Sequence, residues 1–316
     1  MTGRLPALAE ALHRLLEADA SASDPLWTAR IGALAHRLGE IVDRDADGCL
    51  FALVASASHG VEAYSSRHAL ASAGVAWLAG AAAGHGVPDR LSLACAALTM
   101  NVAMTALQDE LVHRERTPTL AQRQAIDAHA ARGAALLRGA GVTDETWLEI
   151  VARHHDAPAP PDEPEPADAT VARRLARLLQ KVDVFLAKLS PRATRKGLPV
   201  AVALRESCLD ASGRTDAAGR ALVHALGLYP PASVVRLSNG ETAVVVGRGA
   251  RVDHPRVASV AGADRRPLPA PCVREAGAAE FRVQAALRGR ELAAALGERR
   301  VEQLLRDVQA AGLAGT

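Results

Sequence analysis

The stretch ALGLYPPASVVRLSNGETAVVV (residues 225–246) marks the place where helical patterning gives way to β patterning. Asn239-Gly240 separates two runs rich in β-branched residues, which is the strongest short-range signal for a β-hairpin. HPRVASVAG (254–262) then predicts a third strand. Before Leu228 the apolar residues recur at helical spacing. The chain is therefore expected to be mainly α, with a small C-terminal β unit.

Four regions follow from this pattern. We expect an N-terminal helical region over residues 1–55, a helical bundle over 56–228, the β unit over 229–275 and a C-terminal helix over 276–316. The last region is predicted to be a terminal amphipathic helix, which either packs onto its own bundle or forms a homodimer. Its apolar residues at helical spacing are Val283, Leu287, Leu292, Leu296, Val301, Leu304 and Leu305. A segment rich in proline and acidic residues, 157–169, is expected to be a loop.

Composition limits the kinds of core and partner. Only 3% of the residues are aromatic although 49% are hydrophobic, so the core must consist mainly of alanine, leucine and valine, a composition that favours helices. The 37 basic and 35 acidic residues are spread along the chain and give a net charge of +2. Because no basic tract stands out, no DNA, RNA or membrane-surface partner is predicted.

The apolar segments do not predict a membrane protein or a secreted one. LSLACAALTMNVAMTAL (91–107) is interrupted by Asn101 and is shorter than the roughly 20 apolar residues of a membrane span. The first residues lack the features of a secretory signal, and the four cysteines are scattered without metal-binding spacing. We therefore expect a cytoplasmic location.

Five polar side chains interrupt the apolar faces of predicted helices. His68, His129, His154 and Asp183 each fall within an apolar stripe, and His155 directly follows His154. Burying a carboxylate without a partner is costly, and a bound cation is one way to offset that cost. Imidazole and carboxylate ligands together suit a divalent transition metal: Fe, Mn, Zn or Ni. The alternative is that each histidine is a hydrogen-bonded core residue.

The order of these residues resembles the HD-GYP branch of the HD metal-dependent phosphohydrolase superfamily. The resemblance runs from about Tyr64 to about Val260 and consists of six segments in the family's order. They are YSSRHALASAGVAWLA (64–79), AALTMNVAMTALQDEL (96–111), IDAHAARGAALL (126–137), HHD (154–156), KVDVFLAKLS (181–190) and the opening stretch, 225–246. Six segments in order form a strong signal, whereas any one alone would be weak.

This resemblance implies an HD-type helical bundle that holds two or three metals and hydrolyses cyclic di-GMP. Carried over residue by residue, it implies that His68 and Asp183 bind one metal. It assigns His129, His154 and His155 to the other. The loop after the Asp183 helix lies near the site in the family, and its basic residues are candidates for contacting a substrate phosphate. These residues are Arg192, Arg195 and Lys196, for which a solvated basic loop is the alternative.

The sequence departs from the family at the doublet that gives it its name. Met100-Asn101 stands in place of His-Asp, and Asn101 cannot supply the carboxylate that bridges two metals. Without a shared anion, two cations a few ångströms apart repel each other strongly. Met104 replaces a lysine that commonly follows the doublet, Tyr64 stands where a carboxylate often lies, and the Gly-Tyr-Pro loop is absent.

These departures favour a degenerate HD-GYP-type protein with lost or strongly reduced activity. It would act by binding a cyclic dinucleotide, another phosphoester or a protein partner, with one metal ion or none. The alternative is an active phosphohydrolase with a single metal on His129, His154 and His155, because three imidazoles form a viable mononuclear site with an open position. A structural bundle without a ligand is the third hypothesis.

Overall fold

A computed structural model describes residues 4–17, 26–58, 61–156, 170–193, 195–210 and 212–288. Within these ranges the chain is mainly helical and carries one small antiparallel sheet, as the sequence predicts in outline. The α-helices are α1 (Arg4–Glu17), α2 (Trp27–Arg44), α3 (Ala46–Ser58), α4 (Tyr64–Ala82), α5 (Val87–Thr99), α6 (Thr105–Val112), α7 (Leu120–Gly139), α8 (Glu145–Arg153), α9 (Val171–Leu189), α10 (Val200–Cys208) and α11 (Ala217–Leu226). The loop expected over 157–169 lies outside the described residues.

Side chains that cap the N-termini set where several helices begin. Thr119 and Gln122 form a capping box at the start of α7, as the sequence predicts. Asp144, Thr170 and Asp216 cap α8, α9 and α11 by accepting from a backbone N–H of the first turn. Each cap satisfies an N–H group that has no partner within its own helix.

Helix α4 lies at the centre of the bundle, where it contacts α3, α5, α9 and α11. Its alanine, glycine and serine residues are almost all buried, which lets neighbouring helices approach closely. Close contact also occurs through Gly39 of α2, where a Cβ atom would lie 2.5 Å from the Trp77 ring. The core therefore consists largely of alanine, leucine and valine, as the composition predicts.

The segment Val87–Val112 is, among the described residues, the one helical stretch long and apolar enough to cross a membrane. It is interrupted in the structure, because α5 ends at Thr99, a 3-10 turn covers Val102–Met104 and α6 begins at Thr105. Helix α5 packs against α2, α4 and α8, so its apolar residues belong to the core of the bundle.

The β unit is an antiparallel sheet in the order β4-β3-β2-β1-β5. The expected hairpin is confirmed, since the first two strands pair around a turn in which Gly240 adopts a left-handed conformation (φ +86°). The third strand is confirmed as well. The strands are β1 (Val234–Leu237), β2 (Thr242–Gly247), β3 (Arg256–Ala261), β4 (Pro267–Glu275) and β5 (Val283–Leu287).

The prediction of a helix from residue 276 is wrong where the structure describes that region. Val283 and Leu287 lie in β5, which pairs with the free edge of β1, and a 3-10 turn at Ala279–Phe281 precedes it. The apolar spacing of 283–287 fits a helix or a strand. The segment forms a strand because β1 has an open edge whose backbone groups need hydrogen-bond partners. The apolar residues from Leu292 onward lie outside the described residues.

Strand β4 was also not predicted from the sequence. Pro267, Pro269 and Pro271 make PLPAPCVRE unlike an ordinary strand. Proline cannot donate a ladder hydrogen bond, and it is tolerated at a sheet edge, which is where β4 lies.

The helical bundle and the β unit have separate hydrophobic cores. The smaller core contains Val235, Leu237, Ala243, Val245, Val257 and Ala276, with Tyr229, Phe281 and Val283 packed against it. Arg248 connects the two units, because its Nε donates to Asp47 of α3 at 2.6 Å and its Nη1 donates to the Ala225 carbonyl of α11 at 3.1 Å.

Candidate metal centre

His129, His154 and His155, the histidine triad, come together where the middle of α7 meets the C-terminal end of α8. His129 lies in the middle of α7, and His154 is the C-terminal cap residue of α8. One nitrogen from each ring lies within 4.8 Å of the others. His129 and His154 are buried whereas His155 is exposed, so the cluster is reachable from one side.

Two backbone carbonyls fix the orientation of the buried rings. Nδ1 of His154 lies 2.7 Å from the Val151 carbonyl oxygen, and Nδ1 of His129 makes a short contact with the Ile126 carbonyl oxygen. A carbonyl only accepts hydrogen bonds, so each Nδ1 carries the proton and donates it. Nε2 of each neutral ring is then left with a free lone pair. Metal-binding histidines are held in this way.

The two free nitrogens face each other. His129 Nε2 and His154 Nε2 are 3.2 Å apart, and both are acceptors if the rings are neutral. Two nitrogens bound to zinc at about 2.0–2.1 Å with a tetrahedral angle are roughly 3.3–3.4 Å apart. The observed spacing therefore fits two ligands of one cation, which would relieve the contact between two lone pairs.

Burial keeps these rings neutral. It lowers the pKa of His154 to about 4, and the charge of His155 acts in the same direction. Burial also lowers the pKa of His129, although its hydrogen bond to the Ile126 carbonyl opposes the change. A neutral imidazole is the form that binds a metal, so both residues suit a ligand role near neutral pH.

His68 and Asp183 form a second polar pair next to the triad. His68 Nε2 lies 2.7 Å from Asp183 Oδ1, with side chains that are 1% and 15% exposed. Burial alone would raise the pKa of Asp183, but the hydrogen bond and the charge of His68 oppose burial and lower it. The carboxylate is therefore ionised at neutral pH, close enough to the triad to act on it electrostatically.

Tyr64 covers the His68 ring. The ring centroids are 5.5 Å apart and the planes differ by 18°, which is a stacked arrangement. Burial raises the pKa of Tyr64, so its hydroxyl stays protonated next to Arg192. That hydroxyl is buried and has no partner with hydrogen-bond geometry among the described residues.

Met100 and Asn101 are the two residues that the resemblance aligns with a metal-binding doublet. Met100 is fully buried and belongs to the hydrophobic core of the bundle. Its carbonyl lies against Gly133, one turn after His129 on α7. Asn101 is half-buried and precedes the 3-10 turn that separates α5 from α6. The broken helix thus still approaches the triad, while the Met100 side chain fills the core.

The three basic candidates of the 190–198 loop differ in their surroundings. Arg192 is exposed and lies beside the Tyr64 hydroxyl, at the edge of the polar cluster. Arg195 donates to the Ala187 carbonyl at 2.6 Å and stabilises the end of α9. Lys196 is exposed. Arg195 also interacts electrostatically with Tyr64, but its guanidinium is bound to the Ala187 carbonyl, so Arg192 is the stronger candidate of the three.

The carbonyls of Ile126 and Val151 are functional groups that sequence reasoning did not identify. Each lies three residues before the histidine it orients, and such i−3 contacts depend on the side-chain rotamer. No sequence pattern encodes that rotamer. The direct contact between His68 and Asp183 was likewise not expected, because the resemblance implies a metal between them.

No known protein family, curated protein or solved structure matches this chain.

Proposed function

We propose that the protein is a degenerate HD-GYP-type protein that holds one divalent transition metal at the histidine triad. Its phosphodiesterase activity is lost or strongly reduced, and it acts by binding a phosphoester, such as a cyclic dinucleotide, or a protein partner. One observation carries the proposal, namely the convergence of His129 Nε2 and His154 Nε2 at 3.2 Å, with each Nδ1 bound to a carbonyl.

The donor set supports one metal more than two. Three imidazoles with His155 on the exposed side suit a mononuclear Zn, Fe, Mn or Ni site with an open position. When bound, the metal supplies a Lewis acid that polarises a phosphoryl oxygen. The second position lacks the bridging carboxylate that the resemblance implies, because Asn101 stands in its place.

Reduced hydrolysis follows from the loss of the second cation. Two-metal phosphodiesterases stabilise both the attacking and the leaving oxygen of an in-line displacement. With one cation only one of these oxygens is neutralised, whereas a ground-state phosphate can still be bound. Arg192 is exposed beside the Tyr64 hydroxyl, and in this proposal its guanidinium contacts such a phosphate.

An active mononuclear phosphohydrolase is the second candidate. The exposure of His155 favours it, because an open side lets both water and substrate reach the cation. Asp183 adds an ionised carboxylate near the same place. The two candidates share the metal site and differ only in turnover.

Measuring the metal content tests the metal site, which both candidate functions require. The full chain is purified without chelator, and bound metals are measured per chain for wild type, His154→Ala and the control His85→Ala. His85 pairs with Asp89 elsewhere in the bundle, so its loss should leave the metal in place. We expect close to one metal per chain in wild type and in the control, and almost none in His154→Ala. Wild type without metal, also after dialysis against zinc, would contradict the proposal.

Turnover separates the two candidates. The metal-loaded chain is assayed with cyclic di-GMP and with a chromogenic phosphodiester, and binding of cyclic di-GMP is measured by calorimetry. Binding without turnover supports the proposal, and turnover that disappears in His154→Ala supports the alternative. Arg192→Ala should weaken binding while Arg266→Ala, at an exposed turn of the β unit, should not.

Introducing the His-Asp doublet tests whether the protein descends from a two-metal HD-GYP-type enzyme. If the bundle is a degraded two-metal site, Met100→His together with Asn101→Asp should raise the metal content above that of wild type. Unchanged metal content in a folded double variant would count against descent from a two-metal site.

A further inference from the structure

The environment of His68 differs from that of the two buried triad histidines. His129 and His154 each donate Nδ1–H to a carbonyl and direct Nε2 at the cluster. His68 uses Nε2 for Asp183, and its buried Nδ1 has no partner among the described residues. A ligating histidine is normally held through the ring nitrogen that does not bind the metal. His68 therefore lacks the support that marks the other two as ligands.

The surroundings of the His68 ring fix its orientation toward Asp183. The ring lies on α4, is almost fully buried and stacks on Tyr64. Tyr64 replaces the carboxylate that the resemblance implies near this position. An aromatic ring offers a stacking surface where that carboxylate would have offered a metal ligand.

Asp183 has one oxygen engaged by His68 and lies close to the triad. It lies on α9, which packs against α4, the helix of His68, and against α8, the helix that ends at His154. Asp183 does not belong to the group of ligand atoms that lie within 4.8 Å of one another. The carboxylate is thus not part of the ligand cluster, but it lies on a helix that packs against the helix of His154. Neutral imidazoles bring no negative charge to a bound cation, so a nearby carboxylate would offset part of its charge.

We infer that His68 is a positioning residue and not a metal ligand, and that it holds Asp183 as the counter-charge of a single cation at the triad. The inference rests on the proposed function, because it requires a cation on His129, His154 and His155. It departs from the assignment implied by the resemblance, in which His68 and Asp183 hold a metal of their own.

Zinc affinity and stoichiometry of the full chain test this inference by competition with a chromophoric chelator. We expect wild type to bind one zinc, and Asp183→Asn and His68→Leu to bind one zinc about 10–100-fold more weakly. His68→Gln should recover part of the affinity, because its amide N–H can donate to Asp183. The matched control His85→Gln alters another histidine–aspartate pair and should leave the affinity unchanged.

A double-mutant cycle distinguishes positioning from a merely structural effect. If His68 acts through Asp183, His68→Leu should not weaken zinc binding further once Asp183→Asn is present. Additive losses would overturn the inference, since independent effects add. Should the leucine variant fail to fold by circular dichroism, His68→Asn serves instead, because its shorter amide does not reach Asp183.

The stoichiometry separates failure of the inference from failure of the proposed function. Two zinc ions in wild type, with one left in His68→Leu, would make His68 a ligand and overturn the inference while the metal site stands. Absence of zinc binding in wild type would instead contradict the proposed function itself.

Discussion

At the scale of single residues, geometry separates histidines that look alike in the sequence. His68, His129 and His154 all lie on apolar helical faces, and each could be a core residue or a ligand by pattern alone. The carbonyl contacts of His129 and His154 leave Nε2 free, whereas Nε2 of His68 contacts Asp183. Which ring nitrogen is free is therefore the property that assigns a role to each residue.

Met100 provides a prediction at this scale. Its side chain is fully buried in the hydrophobic core, so Met100→Leu should change the free energy of unfolding by less than about 1.5 kcal/mol. Met100→Ala should cost about 2–5 kcal/mol, because it leaves a cavity. Urea unfolding followed by circular dichroism measures both values.

Metal content is the control for the Met100 variants. It should be the same in wild type and in Met100→Leu, because leucine retains the packing and lacks only the thioether. Loss of metal in a stable Met100→Leu protein would show that the sulfur is a ligand.

At the scale of elements, two glycines of α2 should respond in opposite directions to alanine. A Cβ on Gly39 would lie 2.5 Å from the Trp77 ring, so Gly39→Ala should destabilise the protein by about 1–3 kcal/mol through overpacking. Gly32 has nothing within 4 Å of the same position, and Gly32→Ala should stabilise by up to about 1 kcal/mol through helix propensity.

Thermal unfolding of the two glycine variants measures this difference. An increase in melting temperature for both would mean that α2 and α4 do not pack as closely as described. The comparison is controlled internally, because both substitutions are identical and lie on one helix.

Asp216 links the start of α11 to α9 and gives the fold a pH dependence. Burial alone would raise its pKa, but the Gly219 N–H, Lys181 and Arg177 outweigh burial and lower it. A carboxylate with a lowered pKa stabilises the folded state above about pH 4, the value in an unfolded chain, and this contribution is lost as the pH falls through the lowered pKa.

Two substitutions at Asp216 distinguish the stability that comes from capping α11 from the stability that comes from its ion pairs. Asp216→Asn retains a capping oxygen and removes the ion pair, whereas Asp216→Ala removes both and should lose about a further 1 kcal/mol. At pH 7 the order of stability should be wild type, Asn, Ala, and at pH 3 wild type should approach the Asn variant. A gap between wild type and Asn that stays constant across this range would contradict the assignment.

In the molecule as a whole, Arg248 connects the bundle to the β unit. Its guanidinium binds Asp47 of α3 and the Ala225 carbonyl of α11. We expect Arg248→Ala to lower the free energy of unfolding by about 1.5 kcal/mol or more, because a charged hydrogen-bonded group loses its partners. Chemical unfolding measures the loss.

Arg251 is the matched control for Arg248. It pairs with Asp253 two residues away, is 68% exposed and connects no other element, so Arg251→Ala should change stability by less than about 0.5 kcal/mol. Equal effects of the two substitutions would show that Arg248 does not stabilise the contact between the units.

The helical character, the hairpin, the third strand and five candidate polar residues were predictable from the sequence, whereas the grouping of His129, His154 and His155 was implied by the resemblance alone. The predictable features rest on local periodicity, turn residues and polar side chains on apolar faces, all of which are properties of short segments. The sequence did not determine β4 or β5, because prolines and an ambiguous apolar spacing conceal strands that form only where a neighbouring strand offers an edge.

Which ring nitrogens are free and which polar groups pair depends on how the helices pack. The contact of His68 with Asp183, the stacking of Tyr64 and the carbonyls behind His129 and His154 join groups through rotamers and helix packing. Distances between residues far apart in the chain are set by how α4, α7, α8 and α9 pack together. The sequence therefore identifies the candidate residues but not the distances between them.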